Sequence, residues 1–347
     1  MNIKQLRQQA RERMNGVCRV CPVCDGRACA GELPGMGGVR SGASFRANVE
    51  ALDKVKLKMR VLHGASSPAT ACEVLGFPLA MPVLVAPMAG AQFNMGGFFS
   101  EERFAEIAVA GAKEAGIAAC TGDGTDEAFQ CGLSACARAG GWGIPVIKPW
   151  SGDFFFERMD KAAEAGCRAV GMDIDTAAFT ALGKSRRPVS PKTPEELKAI
   201  VDGAHARGLK FLLKGVMSPE DARLAEEAGC DAIVVSNHGG RVWEALPGTA
   251  EVLPDVARSV SSMPVLADGG VRSGADVLKM LALGASAVLV GRPCAIACIG
   301  GEEEGLVMWL KRLRRQLFES CILAGLADVR DAGPHVIAQA PWLKTSD

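Results

Sequence analysis

From residue 82 onward, short apolar runs alternate with amphipathic stretches at a steady beat. The runs fall at 82–86, 117–120, 144–148, 169–174, 210–213, 232–236, 264–267 and 286–290. Four to six apolar residues closed by Gly, Pro or polar positions read as buried strands. Between them lie segments with apolar residues at helical spacing, such as SEERFAEIAVAGAKEAG, FFFERMDKAAEAG, TPEELKAIVDGAHARG and SPEDARLAEEAG. Several open on Ser or Thr followed by acidic residues and several end in Gly, as capped helices do. A last helical stretch, GEEEGLVMWLKRLRRQLFESCILAG, follows the eighth run. Eight strand-plus-helix units over roughly 250 residues predict an α/β fold of the closed (β/α)8 TIM-barrel kind rather than an open doubly wound sheet.

Residues 1–81 stand outside this beat. They hold a polar helix, a cysteine cluster, the glycine-rich PGMGGVRSGAS, and KVKLKMRVL, whose alternation suggests an edge strand or extended cover. With no linker to release it, this part is expected to pack on the bottom or mouth of a barrel spanning 82–347.

Composition narrows the function. The 347 residues carry 39 basic and 39 acidic side chains with no basic block, which argues against a nucleic-acid partner. No run of about 18 apolar residues occurs, so no membrane span is expected. MNIKQLRQQARERM does not read as a secretory signal, and a cytoplasmic protein is the expectation. Tyrosine is absent. Nine of the 13 cysteines are scattered through apolar segments and read as reduced, buried small hydrophobes. The other four, Cys18, Cys21, Cys24 and Cys29, form C-x2-C-x2-C-x4-C. Four thiolates so close can ligate an iron–sulfur cluster or a zinc ion, or remain a reduced patch.

The candidate chemistry lies at the carboxyl ends of the strands, where parallel α/β folds place it. The run IVVSNHGGR ends the sixth strand with His238, a side chain poised to take a proton near neutrality, and Arg241, which can grip a carboxylate. DGGVR after strand seven (Asp268, Gly269, Gly270, Arg272) and GRP after strand eight (Gly291, Arg292) form two Gly-plus-Arg loops suited to a phosphate. Lys214 ends FLLKGV and is expected to face the solvated mouth, since burial of an ammonium is costly.

LKGVMSPEDARLAEEAGCDAIVVSNHGGR, VLADGGVRSGADVLKMLALGASAVLVGRP and MPVLVAPMA resemble the FMN-dependent 2-hydroxy-acid oxidases and dehydrogenases over about residues 40–330. The resemblance implies FMN as cofactor, a 2-hydroxy acid (lactate- or glycolate-like) as small-molecule substrate, and a homotetramer. It implies that His238 is the base, that Arg241 binds the substrate carboxylate, and that Lys214 sits beside the flavin where reduction places negative charge. It places Pro87, Met88, Ala89, Thr121, Lys148, Asp173 and Ser236 around the flavin. Asp268, Gly269, Gly270, Arg272, Gly291 and Arg292 fall at the ribityl and phosphate positions.

The departures concern the substrate. GVRSGA puts Gly38 and Val39 where the family has aromatics. GIPVIKPW puts Lys148 at a flavin-contacting Gln and Trp150 at a pocket tyrosine. Asp173 replaces a hydroxyl, and Asp123 stands where an aromatic often limits substrate size. LGKSRRP offers Arg186 or Arg187 as a second carboxylate ligand. Two other readings are an FMN-binding electron-transfer or sensing protein without turnover, and an enzyme like type 2 isopentenyl diphosphate isomerase. SNHGGR counts against the isomerase, whose chemistry has no need of that His and Arg pair.

Overall fold

A computed structural model describes residues 1–178 and 188–343. Eight strands close into one parallel barrel: β1 (Val83–Met88), β2 (Ala118–Thr121), β3 (Ile144–Ile147), β4 (Ala169–Asp173), β5 (Lys210–Val216), β6 (Ala232–Val235), β7 (Val265–Ala267) and β8 (Ala287–Val290). Closure is made by β8 on β1, with Val288, Leu289 and Val290 opposite Val83, Leu84 and Val85. All eight runs read from the sequence are these strands. Apart from Lys210 at the start of β5 and Pro87, Met88 and Gly215 near the carboxyl ends, their residues are buried, packed by side chains inside and by helices outside.

The helices before strands, α1 (Ile3–Arg13) and α2 (Ala43–Lys54), are followed by one main helix after each strand. These are α3 (Glu101–Glu114), α4 (Asp126–Arg138), α5 (Phe154–Glu164), α6 (Pro194–Ala206), α7 (Pro219–Glu227), α8 (Thr249–Ser259), α9 (Gly274–Ala282) and α10 (Arg292–Ala324). Ser100, Thr125, Thr193, Ser218 and Ser273 each accept a hydrogen bond from the third backbone N–H of the helix they open. The final helix starts at Arg292, well before the stretch expected from sequence, and breaks its helical dihedrals at Gly301 and Glu302.

The first 81 residues serve both ends of the barrel. A short antiparallel pair, Cys72–Val74 with Phe77–Leu79, packs at the amino ends of the strands. There Ala80 N–H donates to the Gly116 carbonyl, and Phe77 meets Trp142 edge-on. Of KVKLKMRVL only Lys56–Leu57 is a strand, pairing with Ile337–Gln339. The α2 helix lies at the opposite, carboxyl end. Gly240 and Gly270, both at positive φ, leave the space α2 needs: a Cβ on Gly240 would come within 2.3 Å of Phe45 N, and one on Gly270 within 2.5 Å of the Asn48 carbonyl oxygen.

Asn48 fastens α2 to the loop after β6. Its amide donates to Asn237 Oδ1 (2.8 Å) and its oxygen accepts from Asn237 Nδ2 (3.0 Å) and from Thr249 N–H (3.0 Å). Both side chains are buried, so each group lost leaves a partner without compensation. Asn48→Ala is expected to lower unfolding free energy by about 1–3 kcal/mol, measured by urea denaturation. A change under a few tenths would show that the pair carries no weight.

Candidate active site

The carboxyl ends of the strands surround a cleft of about 1120 Å³, its solvent-filled mouth included. At its floor three buried charges meet. Asp173, the last residue of β4, accepts from Lys148 Nζ at 2.8 Å through Oδ2 and faces Lys214 Nζ at 2.9 Å through Oδ1. Lys214 lines the cleft at the barrel mouth, as expected, but at 2% exposure it is held by an ion pair and not by solvent. The strand β5 continues past it to Val216, and Asp173 supplies the counter-charge that offsets its desolvation. Burial opposes ionisation of Asp173, but the ammonium groups of Lys148 and Lys214 outweigh it and hold the carboxyl far below its usual range. Lys214 is likewise raised: Asp173, with smaller help from Asp175 and Asp268, overcomes its burial. Asp173, at the position the resemblance gives to a hydroxyl, thus pairs with Lys148, at the position it gives to a Gln.

His238 sits above this floor. Its backbone is left-handed, φ +57, a strained conformation for a residue with a Cβ. The turn is held by its N–H on Ser236 Oγ (3.0 Å) and by Asn237 Oδ1 accepting from Gly240 N–H (3.1 Å). The imidazole Nδ1 lies 3.1 and 3.2 Å from the two oxygens of Asp175, which hold the ring by that nitrogen. Burial, then the nearby Lys214 charge, lowers the His238 pKa from 6.5, while Asp175 and Asp173 pull it up. Asp175 was missed from the sequence. It lies just past the end of β4, in the 3-10 turn Ile174–Ala178, and a second acidic residue in the same GMDIDT run was the available signal. Asp173, Asp175 and His238 converge closely enough to hold a cation, but the two lysines already occupy Asp173.

Three arginines rim the other side. Arg241 donates to the Gly35 carbonyl and to Asn94 Oδ1 (3.1 Å). Arg292 donates to the carbonyls of Met36 (2.7 Å), Gly37 (2.9 Å) and Gly239 (3.0 Å), with its guanidinium 3.7 Å above the Phe45 ring. Arg272 donates to the Val271 and Cys24 carbonyls, and its buried Nε has no partner. Burial pushes Arg241 down to about 10; burial, then Arg241 and Arg272, push Arg292 down to about 9. Half-buried cations that repel one another and rest on carbonyls make a strong anion site. Asp268 borders it, held by Ser236 Oγ (2.8 Å) and with Oδ1 unpartnered; burial raises its pKa despite Lys214.

Most of the expected cofactor residues line the cleft: Pro87, Met88, Ala89, Lys148, Asp173 and Lys214 on one side, Asp268, Gly269, Gly270, Arg272, Gly291 and Arg292 on the other. Ser236 lies just behind, supporting Asp268 and His238. Thr121 is turned away. Its side chain lies against Gly132 of α4, because strand alternation sends the neighbouring Cys120 toward the charged interior instead. Trp150 is not brought to the cleft either. Its indole is buried and donates to Asp123 Oδ2 (2.7 Å), drawn in by the Asp123–Arg158 ion pair (3.1 Å). Asp123 touches the cleft, but its carboxylate is taken up by Trp150, Arg158 and the Lys148 N–H. Arg186 and Arg187 lie outside the described residues. Met36, Asn94 and Met95, not anticipated, join Arg241 in lining the cleft.

The profile of the family described as FMN-dependent dehydrogenase matches residues 35–203 and 188–339. The chain belongs to this family. It is 33% identical to a 4-hydroxymandelate oxidase of Amycolatopsis orientalis, over 87% of this chain and 94% of that one. It is 29% identical to glycolate oxidase 3 of Oryza sativa subsp. japonica, over 87% and 90%. A solved mandelate oxidase with (S)-4-hydroxymandelic acid superposes with a TM-score of 0.76 at 29% identity, covering 95% of this chain and 96% of that one. FMN is therefore the cofactor, and the orphaned Arg272 Nε and Asp268 Oδ1, with the arginine cluster, fit its phosphate and hydroxyl groups.

Removing Asp173 should expose the charge balance. Asp173→Asn takes away the carboxylate two buried ammonium groups share, and stability should fall by about 3–5 kcal/mol. Lys148→Gln with Asp173→Thr, which removes one ammonium together with the carboxylate, should recover only part of that loss in thermal melts, because Lys214 stays buried without its nearest counter-charge. Equal melting of the wild type and Asp173→Asn would refute the role assigned to the carboxylate.

Proposed function

We propose that this protein oxidises a 2-hydroxy acid to the 2-oxo acid with His238 as the base. The single observation that carries the reading is the Asp175–His238 pair beside the Lys214–Asp173 floor and the Arg241 rim, in a cleft fit for FMN. His238 Nε2 takes the proton of the substrate hydroxyl. Asp175 fixes the ring and stabilises the imidazolium that forms. Arg241 holds the substrate carboxylate, and its support by Gly35 and Asn94 sets the angle of the guanidinium. FMN, when bound, supplies the two-electron acceptor, and Lys214 is placed to balance negative charge gained there.

Lactate- and glycolate-like acids fit this scheme. A bulkier side chain is favoured by one observation: the carboxylate of Asp123, at the position expected to limit size, is engaged away from substrate, and Met36, Met88 and Met95 give an adaptable apolar wall. An aryl 2-hydroxy acid such as 4-hydroxymandelate, named for the Amycolatopsis relative, is the second reading. Among the described residues no helix is long and apolar enough to cross a membrane. We carry the homotetramer forward as part of this proposal, to be measured by light scattering.

Anaerobic mixing of the FMN-loaded protein with lactate, glycolate and 4-hydroxymandelate should bleach the oxidised flavin band with at least one acid. His238→Ala should bind FMN and slow the bleaching by about 10²–10⁴-fold. If no 2-hydroxy acid bleaches the band, the protein is an electron-transfer or sensing flavoprotein instead.

The pH dependence has a definite sign. The base works only when neutral, and burial with Lys214 lowers its pKa from the usual 6.5, so the acidic limb of bleaching should have its midpoint below pH 6.5. Asp175→Asn removes a charge that holds this pKa up, so the acidic limb should move to still lower pH while the plateau rate drops. A limb that moves upward in Asp175→Asn would contradict the pairing.

A further inference from the structure

The N-terminal cysteines have no part in the chemistry above, yet the fold gathers them. Cys18, Cys21, Cys24 and Cys29 all line one small cavity, together with Val20, Met36, Arg292 and Ile296. All four are free thiols and none is fully exposed. We propose that this cavity is a binding site for a [4Fe–4S] cluster ligated by Cys18, Cys21, Cys24 and Cys29, at the phosphate end of the FMN cleft.

Geometry separates this from zinc. A tetrahedral zinc with Zn–S bonds of about 2.3 Å holds its sulfurs about 3.8 Å apart. Among the described residues the compact group able to hold a single ion is Asp173, Asp175 and His238, and the four cysteines do not form such a group. A cubane holds its four thiolates around its own body, further apart than one ion does, and C-x2-C-x2-C is a spacing such clusters use. The surroundings match a ligated, negatively charged group. Val20 N–H donates to Cys18 Sγ (3.4 Å) and Arg272 Nη2 approaches Cys24 Sγ (3.6 Å). Hydrogen bonds to the sulfurs and nearby charge are the levers by which a protein stabilises a cluster. Arg292, on the cavity wall, adds a second cation.

The site is also tied to the cleft. One loop carries the ligand Cys29 and the carbonyls of Gly35, Met36 and Gly37 that hold Arg241 and Arg292. It is closed on itself by Gly31 N–H on the Gly38 carbonyl (3.0 Å). Ligation of Cys29 would therefore brace the segment that positions two of the three rim arginines. Met36 and Arg292 line both cavities.

The test uses the full FMN-loaded chain, incubated anaerobically with ferrous iron and sulfide, desalted, and assayed for iron, acid-labile sulfide, zinc and FMN. The expected result is about four iron and four sulfide per chain, with an electron paramagnetic resonance signal from a cluster after dithionite reduction. Cys21→Ser should lose the iron and the signal while FMN binding reports a folded barrel. Cys72→Ser, outside the cavity, should keep both. Wild-type protein that holds FMN but no iron overturns the proposal, as does one zinc per chain, a two-iron stoichiometry, or iron retained in Cys21→Ser. Should Cys21→Ser fail to bind FMN, the wild-type stoichiometry and signal still decide.

Discussion

The site depends on one buried carboxylate. Asp173 sits at the end of β4 with an ammonium group on each oxygen, Lys148 at 2.8 Å and Lys214 at 2.9 Å. Burial strips the Lys214 ammonium of its hydration, and Asp173, helped by Asp175 and Asp268, more than offsets that cost. Lys214 therefore keeps its proton firmly, and a fixed positive charge stands at the floor of the cleft. That charge in turn lowers the proton affinity of His238, and the position of Asp175 at the imidazole sets how far. The closed barrel makes the arrangement possible by bringing β3, β4 and β5 side by side, so that residues far apart in sequence share one salt-bridge network.

The eight strands were legible because each is a short apolar run between capped helices, and a barrel strand is buried on both faces. His238, Arg241 and the two glycine–arginine loops were legible for a related reason: polar residues directly after such runs land at the carboxyl ends. What stayed hidden was whatever depends on the direction of a side chain or on distant partners. Thr121 and Trp150 are at the expected backbone positions but point elsewhere, Thr121 toward Gly132 and Trp150 toward Asp123. Lys214 was read as solvated because its counter-charge, Asp173, lies on the neighbouring strand β4 with a whole helix between them in sequence. The reach of the first 81 residues was hidden too, since nothing local in α2 says that Asn48 meets Asn237 across 189 residues.

That N-terminal segment changes how the rim is understood. In place of carboxylates, Arg241 and Arg292 rest on backbone carbonyls of residues 35–37, which orient a guanidinium without neutralising it. The full charge stays available to a phosphate or a substrate carboxylate. The absence of tyrosine from the chain fits the same logic. Where the resemblance implies aromatics, at Gly38 and Val39, the chain has a glycine-rich strap whose Gly35, Met36 and Gly37 carbonyls hold the arginines.

The electrostatics also constrain the order of events at His238. A proton arriving on the imidazole creates a cation beside Lys214, which opposes it, and beside Asp175 and Asp173, which favour it. The opposition weakens once negative charge develops near Lys214, which is where an electron-accepting ring would develop it. In the proposed reaction, proton uptake by His238 and charge transfer from the substrate therefore support each other, since negative charge gained near Lys214 weakens its opposition to the imidazolium. A base with a depressed pKa is suited to that coupling, because it releases the proton readily once the substrate has been oxidised and the product has left.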